Sequence, residues 1–370
     1  AATLTAVAAA FAPIPIPARV RAQNAEPRAK VALAHAESYD MALIRDRVHT
    51  LIDQLGGLAD VVSAGDKVAI KTNLTGGSWA ANLFSRPSTE IYVTHPAVIR
   101  ALGEAVLDAG ASELYIVESV YDRASWSVWG HAEAAEALGA TLIDLNDTRP
   151  YDQYTERAVG PDWLIYQYFT VNPLLAEVDV FMSVAKLKCH ANAGVTMSMK
   201  NLVGMIPMRF YQLSPDHTHR SELHGAHIAY RYRLPAVIVD LVRARPIDFA
   251  LIDGVMTSEG GEGPWLDSFK PIDEVVGALI AGKNAVATDA VGAAVMGFDP
   301  TARSVEEEPF VYCLNHLQMA DEYGIGPHDL AEIEVVGETI ADLRHAFAPY
   351  RPANGEDAAW HIPPGPYGKV

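Results

Sequence analysis

One segment of the sequence concentrates side chains that could carry out chemistry. Residues 186–204 read KLKCHANAGVTMSMKNLVG, and their reactive or polar members include Lys186, Lys188, His190, Lys200 and Asn201. A lysine in this setting could be a desolvated nucleophile, the covalent anchor of a cofactor, or a clamp for an anion. These three roles remain open for Lys200. We expect His190, at the end of an apolar run, to exchange protons.

Ionisable residues also end several apolar runs that have the composition of buried strands. VAIK ends in Lys71 and is followed by Asn73, LYIVE ends in Glu118, and FALID ends in Asp253. Ligands of open parallel sheets bind beyond the carboxyl ends of the strands, so we expect these side chains to line one cleft. Solvated strand ends are the alternative. Lys186 and Lys188 share a strand face and, with Lys71, would form a positive site for a carboxylate or phosphate.

A histidine-rich stretch and an acidic stretch are candidates for metal binding. The stretch DHTHRSELHGAH contains His217, His219, His224 and His227. Imidazole commonly binds transition metals, so we expect a divalent transition metal here, with His224 and His217 as candidate ligands; an exposed polar loop is the alternative. In DGVMTSEGGEGPW, Asp253 and Glu259 would add carboxylates for a metal or for proton transfer, and a tight surface loop is the alternative.

The elements that must position these residues alternate between strands and helices. Predicted strands cover 30–34, 67–71, 113–118, 141–145, 178–184, 248–253, 275–281 and 331–336. Predicted helices cover 41–55, 96–109, 131–138, 235–244, 285–296 and 310–323. This alternation indicates an α/β fold with a mostly parallel sheet, helices on both faces, and a cleft at the carboxyl ends of the strands. We expect one α/β domain at 29–348, with two lobes at 29–175 and 176–348.

Composition excludes several classes of function. The 370 residues contain 28 Lys and Arg against 46 Asp and Glu, a net charge of −18, which argues against broad nucleic-acid binding. Half of the residues are hydrophobic, enough for a substantial core. The two cysteines, Cys189 and Cys313, are too few to hold an iron–sulfur cluster by four thiolates, so we expect no such cluster within this chain.

Both ends of the sequence differ in composition from the middle. Residues 3–17, TLTAVAAAFAPIPIP, are uncharged and rich in Ala and Pro, so residues 1–28 are interpreted as the remnant of a secretory signal or as an N-terminal arm. We expect the protein to be exported to the periplasm or the cell exterior. No other stretch approaches the length of a transmembrane helix. Residues 349–370 are rich in Pro and Gly and are expected to form a surface tail.

Several of these motifs together resemble the domain-of-unknown-function 362 family. The matching pieces are VAIKTNL, VTHPAVIRAL, VDVFMSVAKLKCHANAGVTMSMKNLVGMIP, ELHG and ALIDGVMTSEGGEGP, within residues 67–300. The family is often exported and often linked to iron–sulfur modules, whereas this chain lacks a CxxCxxC motif. The His190–Lys200 spacing is also similar to that of lactate racemase-like nickel-pincer proteins. That similarity implies Lys200 as cofactor anchor or catalytic group, His190 as proton shuttle, and an isomerase or oxidoreductase type of reaction.

We therefore expect an exported enzyme that acts on a small anionic substrate with the help of a metal or a Lys-linked organic cofactor of unknown identity. The expected catalytic residues are His190, Lys200 and Glu118. The expected anion-binding residues are Lys71, Asn73, Lys186, Lys188 and Asn201. The expected metal ligands are His224, His217, Asp253 and Glu259. The alternatives are a non-catalytic periplasmic carrier of an anion or metal, and an accessory subunit of an exported complex.

Overall fold

The computed structural model describes residues 28–216, 219–225 and 230–352. Three sequence-based expectations fall wholly or mostly outside these ranges. They are the signal remnant or N-terminal arm up to residue 27, His217 as a metal ligand, and the surface tail from residue 353 onward.

The described residues form twelve strands and eleven α-helices. The strands are β1 Ala29–His35, β2 Lys67–Lys71, β3 Glu113–Glu118, β4 Thr141–Asp144, β5 Thr155–Ala158, β6 Tyr168–Val171, β7 Val180–His190, β8 Gly194–Thr196, β9 Phe249–Glu259, β10 Lys270–Pro271, β11 Ala278–Gly282 and β12 Ile333–Gly337. The helices are α1 Met41–Gln54, α2 Pro96–Asp108, α3 Ser125–Val128, α4 His131–Leu138, α5 Leu174–Glu177, α6 Ser198–Asn201, α7 Ser221–His224, α8 Tyr230–Ala244, α9 Ala285–Val295, α10 His316–Glu322 and α11 Ile340–Leu343.

Ten of these strands form one mixed, mostly parallel sheet. Its main path runs β12-β1-β11-β9-β7-β2-β3-β4, with β10 added to β9 and β8 added to β7. Every neighbouring pair on the main path is parallel except the two pairs that β11 makes with β1 and β9. The remaining strands, β5 and β6, form a separate antiparallel pair. The expected mostly parallel α/β fold is therefore confirmed.

Alternating side chains of the sheet pack into two hydrophobic layers. Leu33 of β1 and Phe181 of β7 belong to the layer covered by α8, α9 and α10, whereas Ala34 and Met182 belong to the layer covered by α1, α2 and α4. This division follows from the two-residue period of a strand, which sends successive side chains to opposite faces. Both faces of the sheet are consequently buried under helices, as expected for its near-continuous apolar strands.

The sheet does not break at the expected lobe boundary after residue 175. Strand β1, from the first expected lobe, lies between β11 and β12 of the second, and β7 joins the two ranges by pairing with β2. Both ranges thus contribute to one sheet. Among the described residues, no helix has the length and apolar character required to cross a membrane.

Element boundaries differ from the predictions where polar residues continue a strand or start a helix. Strand β7 runs to His190 and β9 runs to Glu259, beyond the predicted ends at residues 184 and 253. Helix α10 begins at His316 rather than at residue 310, because the Asn315 side chain accepts hydrogen bonds from the N–H groups of Leu317 and Gln318. Such a side-chain cap satisfies N–H groups that would otherwise lack a partner at the start of a helix.

Candidate functional site

A cavity of about 280 Å³ lies beyond the carboxyl ends of β2 and β3, beside the end of β7. Its wall includes seven of the residues predicted from the sequence: Asn73, Glu118, Lys188, His190, Lys200, Asn201 and His224. Three strand ends, α6 and the end of α7 supply these side chains. Residues far apart in the sequence thus meet at the edge of the sheet where ligands of parallel sheets bind.

Lys200 reaches the cavity from α6, whose start is fixed by a buried carboxylate. The two oxygens of Asp289, on α9, accept hydrogen bonds from the backbone N–H groups of Ser198 (2.8 Å) and Met199 (2.9 Å). Burial raises the pKa of Asp289 to about 7, while these N–H groups act in the opposite direction. Asp289 therefore positions Lys200 without belonging to the cavity wall.

Replacing Asp289 by Asn is expected to reduce the free energy of unfolding by about 1–3 kcal/mol, because an amide offers only one acceptor oxygen to two buried N–H groups. Urea denaturation measures the loss. Asp40→Asn is the matched control, because one oxygen of exposed Asp40 accepts both N–H groups at the start of α1, and an Asn oxygen can do the same. We expect the control to change stability by less than about 0.5 kcal/mol. Equal losses in both variants would contradict the positioning role.

Three basic side chains in the cavity wall lack a carboxylate partner. No hydrogen bond or ion pair joins the half-buried Lys200 to any residue in the described ranges. Buried Lys188 donates to the backbone oxygens of Tyr92 (2.6 Å) and Glu262 (3.1 Å). Arg220 donates through Nε to Ile206 O (2.8 Å) and through Nη2 to Ser119 O (3.2 Å). The cavity therefore brings together three basic groups that form no salt bridge within the described ranges, although the Glu262 carboxylate also lines the wall.

Burial lowers the pKa values of both lysines, and the Glu262 carboxylate offsets this only in part. Burial lowers the pKa of Lys200 to about 8; the Glu262 carboxylate acts in the opposite direction, and Arg220 adds a smaller lowering effect. Burial also lowers the pKa of Lys188 well below its ordinary value, although Glu262 acts in the opposite direction, and Lys200 adds to the lowering. An anion bound between these groups would favour their charged forms and reverse the shifts.

Two imidazole rings in the wall are held in complementary tautomers. His190 Nδ1 accepts the N–H of Asn192 (3.0 Å), which places the proton of the neutral ring on Nε2. His224 Nδ1 lies 3.0 Å from the carbonyl oxygen of Arg220, so it donates and leaves the lone pair on Nε2. Their centroids are 6.3 Å apart, and burial lowers the pKa of both rings, that of His224 to about 3. One neutral donor and one neutral acceptor therefore flank the cavity.

Glu118 lines the cavity and also belongs to a buried network that extends behind the wall. Its Oε2 accepts from Lys71 Nζ (2.7 Å) and from Leu74 N (3.1 Å). Asn201 Oδ1 accepts a further bond from the same ammonium (3.1 Å). Gly204 packs so closely against this group that a Cβ there would overlap Glu118 Oε1. The network fixes the ends of β2 and β3 relative to α6.

Lys71 does not line the cavity, although the sequence predicted it as an anion-binding residue. All three N–H groups of its ammonium are used, by Thr72 O, Glu118 and Asn201. Its side chain is fully buried and is not part of the cavity wall. No donor remains for a ligand, so the expectation that Lys71 binds the anion is corrected to a role in positioning the wall.

Lys186 and Asp253 also lie outside the cavity, where they pair with each other. They face one another in the register of the parallel strands β7 and β9, and Lys186 Nζ lies 3.1 Å from Asp253 Oδ2. Lys186 donates its other two N–H groups to Tyr39 Oη and Thr89 O, both at 2.8 Å. Because they are paired with each other and buried, neither side chain is available as an anion clamp or a metal ligand. Asp253 lies outside the cavity because β9 continues past it to Glu259.

Glu259 likewise does not line the cavity; its carboxylate accepts from Ala348 N at 2.6 Å. Within the described ranges, no group of three His, Cys, Asp or Glu side chains could hold a metal ion. The unpartnered amine of Lys200 does fit a covalent anchor for an organic cofactor. Metal binding and a Lys200-linked cofactor both remain predictions.

Several residues of the wall were missed by the sequence analysis. They are Trp79, Tyr121, Asn192, Thr196, Arg220 and Trp265. Arg220 lies inside the histidine-rich stretch, where only the imidazoles had been considered. Buried Asn73 Oδ1 and Thr196 Oγ1 have no hydrogen-bond partner among the described residues, which makes them candidate ligand contacts.

The fold and the cavity together define an α/β protein with a basic pocket at the carboxyl edge of a mostly parallel sheet. The chain belongs to the family described as Domain of unknown function (DUF362), whose profile matches residues 68–294. The resemblance to this family found in the sequence is thereby confirmed.

Two individual proteins are similar to this chain. A thylakoid-associated protein of Synechocystis sp. is 25% identical over 272 residues, which are 73% of this chain and 75% of that protein. A crystal structure of a Thermotoga maritima protein matches 68% of this chain and 57% of its own chain, at 12% identity and a TM-score of 0.35.

Proposed function

We propose that this protein is an enzyme that binds a small carboxylate or phosphate in the cavity and acts on it by proton transfer. One observation carries the proposal: the ammonium of Lys200 lines the cavity with no hydrogen-bond or ion-pair partner among the described residues. A buried or half-buried cation without a partner is unfavourable, so a ligand of opposite charge is the expected partner. Export of the enzyme, expected from residues 3–17, forms part of the proposal.

The surroundings of Lys200 support an anion rather than a cation as the ligand. Lys188 and Arg220 add two basic groups without carboxylate partners. Of the nearby carboxylates, Glu118 is paired with Lys71, and Glu262 accepts from Ala191 N (3.0 Å) and Trp265 Nε1 (3.0 Å). These neutral donors leave the charge of Glu262 in place, so three basic groups face one carboxylate that is not paired with a lysine or arginine. The result is a local excess of positive charge within a protein of net charge −18. Such a site is suited to a phosphate or carboxylate group.

The imidazoles support catalysis rather than binding alone. His190 offers a proton on Nε2 and His224 offers a lone pair on Nε2, on nearly parallel rings with an interplanar angle of 17°. In its neutral form, Lys200 could act as a further base or nucleophile, because a pKa of about 8 leaves an appreciable unprotonated fraction near neutral pH. A carrier would need the cations but not this donor and acceptor pair.

Replacing Lys200 by Met is expected to weaken the binding of inorganic sulfate at pH 7 by about tenfold, because a charge-assisted hydrogen bond contributes about 1.5–3 kcal/mol. Isothermal titration calorimetry measures the dissociation constants. Lys270→Met serves as the control, because Lys270 is exposed and lies outside the cavity wall. Sulfate binding that is unchanged by Lys200→Met, or weakened equally by the control, would refute the proposed site.

A second measurement separates an enzyme from a carrier. Small organic acids incubated with the protein in D₂O are expected to gain carbon-bound deuterium, detected by NMR. His224→Gln is expected to bind anions with unchanged affinity but to lose the exchange, because an amide cannot take up the proton. A wild-type protein that binds these acids without any exchange would support the carrier instead.

A further inference from the structure

A tryptophan at the cavity wall remains largely exposed although its backbone is fixed. Trp79 is 61% exposed. Its neighbours in the chain are held on both sides: Ser78 N donates to Asp122 Oδ2 (2.8 Å), and Ala80 O accepts from Ser88 Oγ (2.7 Å). A large aromatic side chain presented to solvent from an anchored turn is a ready surface for a ligand.

A second tryptophan forms part of the same wall and is seated against two glycines. A Cβ at Gly76 would lie 2.9 Å from the Trp265 ring, and a Cβ at Gly263 would overlap that ring. Trp265 Nε1 donates to Glu262 Oε1 at 3.0 Å, which fixes the orientation of the indole. The indole of Trp265 is therefore held in place, and it fits there because Gly76 and Gly263 have no side chains.

The apolar and charged parts of the wall belong to one cavity. Leu74 and Val203 line it together with Trp79 and Trp265, in addition to the basic residues around Lys200. A volume of about 280 Å³ is close to the lower limit of sites for organic ligands, and a bare phosphate or acetate would leave the aromatic wall uncovered. The wall thus combines an anion site with an aromatic surface.

We propose that the ligand is a small anion that carries an aromatic ring, with the ring packed on Trp79 and Trp265 and the anionic group held at Lys200. This inference rests on the proposed function and specifies its substrate class. A flat aromatic group suits indole faces better than an alkyl chain of similar size, because aromatic pairs gain attraction beyond the burial of area.

The test compares the binding of methyl phosphate and phenyl phosphate to the full-length protein by isothermal titration calorimetry. The two esters have the same charged group and differ in the ring. We expect phenyl phosphate to bind about 5- to 10-fold more tightly, and Trp79→Ala to reduce this ratio to about 2 or less, with the affinity for methyl phosphate unchanged. Trp79→Phe is expected to retain the ratio. Trp163→Ala, at a tryptophan that is 42% exposed and outside the cavity wall, is expected to leave both affinities unchanged.

The possible failures are distinguishable. If methyl phosphate binds but phenyl phosphate binds no more tightly, the aromatic ligand is refuted and the anion site stands. If Trp79→Ala weakens both esters equally, Trp79 does not contact the ring and the inference is also refuted. If neither ester binds, and sulfate does not bind either, both the aromatic ligand and the proposed function are refuted.

Discussion

A variant with Asp253 replaced by Leu is expected to lose about 3–5 kcal/mol of free energy of unfolding, because it leaves the Lys186 ammonium buried without its counter-charge. The side chains of Asp253 and Lys186 are both 0% exposed. Asp253 also accepts hydrogen bonds from Tyr39 Oη (2.7 Å) and His95 N (2.9 Å). Urea denaturation measures the loss. Anion binding by the folded fraction is expected to be unchanged, since neither residue lines the cavity.

A double-mutant cycle separates the pair from its surroundings. Lys186→Met alone is also expected to be strongly destabilising, whereas Lys186→Met combined with Asp253→Leu should recover much of the loss, because no uncompensated charge remains. Lys283→Met is the matched surface control. Lys283 Nζ lies 2.5 Å from Asp60 Oδ1, and the Asp60 side chain is 64% exposed. Exposed ion pairs of this kind contribute about 0–1 kcal/mol to stability. A double variant as unstable as the sum of the single variants would show that the buried charges do not depend on each other.

The affinity for sulfate is expected to fall steeply above pH 8. The protonated form of Lys200 binds the anion, and its pKa of about 8 means that this form declines as the pH rises through that value. Because loss of the Lys200 charge weakens binding about tenfold, affinity falls about fivefold from pH 7 to pH 9 and levels off near a tenfold loss above pH 10. A lysine at the ordinary value of 10.5 would leave affinity nearly constant up to pH 9. Sulfate is a suitable probe because its charge does not change over this range.

Lys200→Met provides the control for this pH dependence. The variant binds sulfate more weakly at pH 7, and its affinity is expected to change much less between pH 7 and pH 9 than that of the wild type. Calorimetric titrations of both proteins at each pH give the comparison. An identical pH dependence in both proteins would assign the titration to another group and contradict the role of Lys200.

Much of the fold could be predicted from the sequence because its signals are local. Buried parallel strands read as apolar runs, and helix α4 was predicted with its observed ends at His131 and Leu138. Strands β5, β6, β8 and β10 were missed, since each is only two to four residues long and too short for a sustained pattern.

The candidate site was only partly predictable, because its membership depends on register. The sequence places Lys186 and Lys188 on one side of a strand, yet β7 and β9 shift register between them. Lys186 faces Asp253 before the shift, and Lys188 faces Ser258 after it. Lys186 is thereby paired with a carboxylate, whereas Lys188 reaches the cavity. No pattern within either strand encodes that difference.

The position of β1 has a consequence for how the chain reaches its native state. This strand pairs only with β11 and β12 among the described residues, and Val31 is matched with Gly282 and Val335. During synthesis, β1 is complete at His35, and its backbone amides find partners only after β11 and β12, which begin at Ala278 and Ile333, have been made. Contacts this distant in sequence slow folding. Nascent chains that end before residue 278 should therefore be recognised by chaperones or proteases through this unpaired apolar segment.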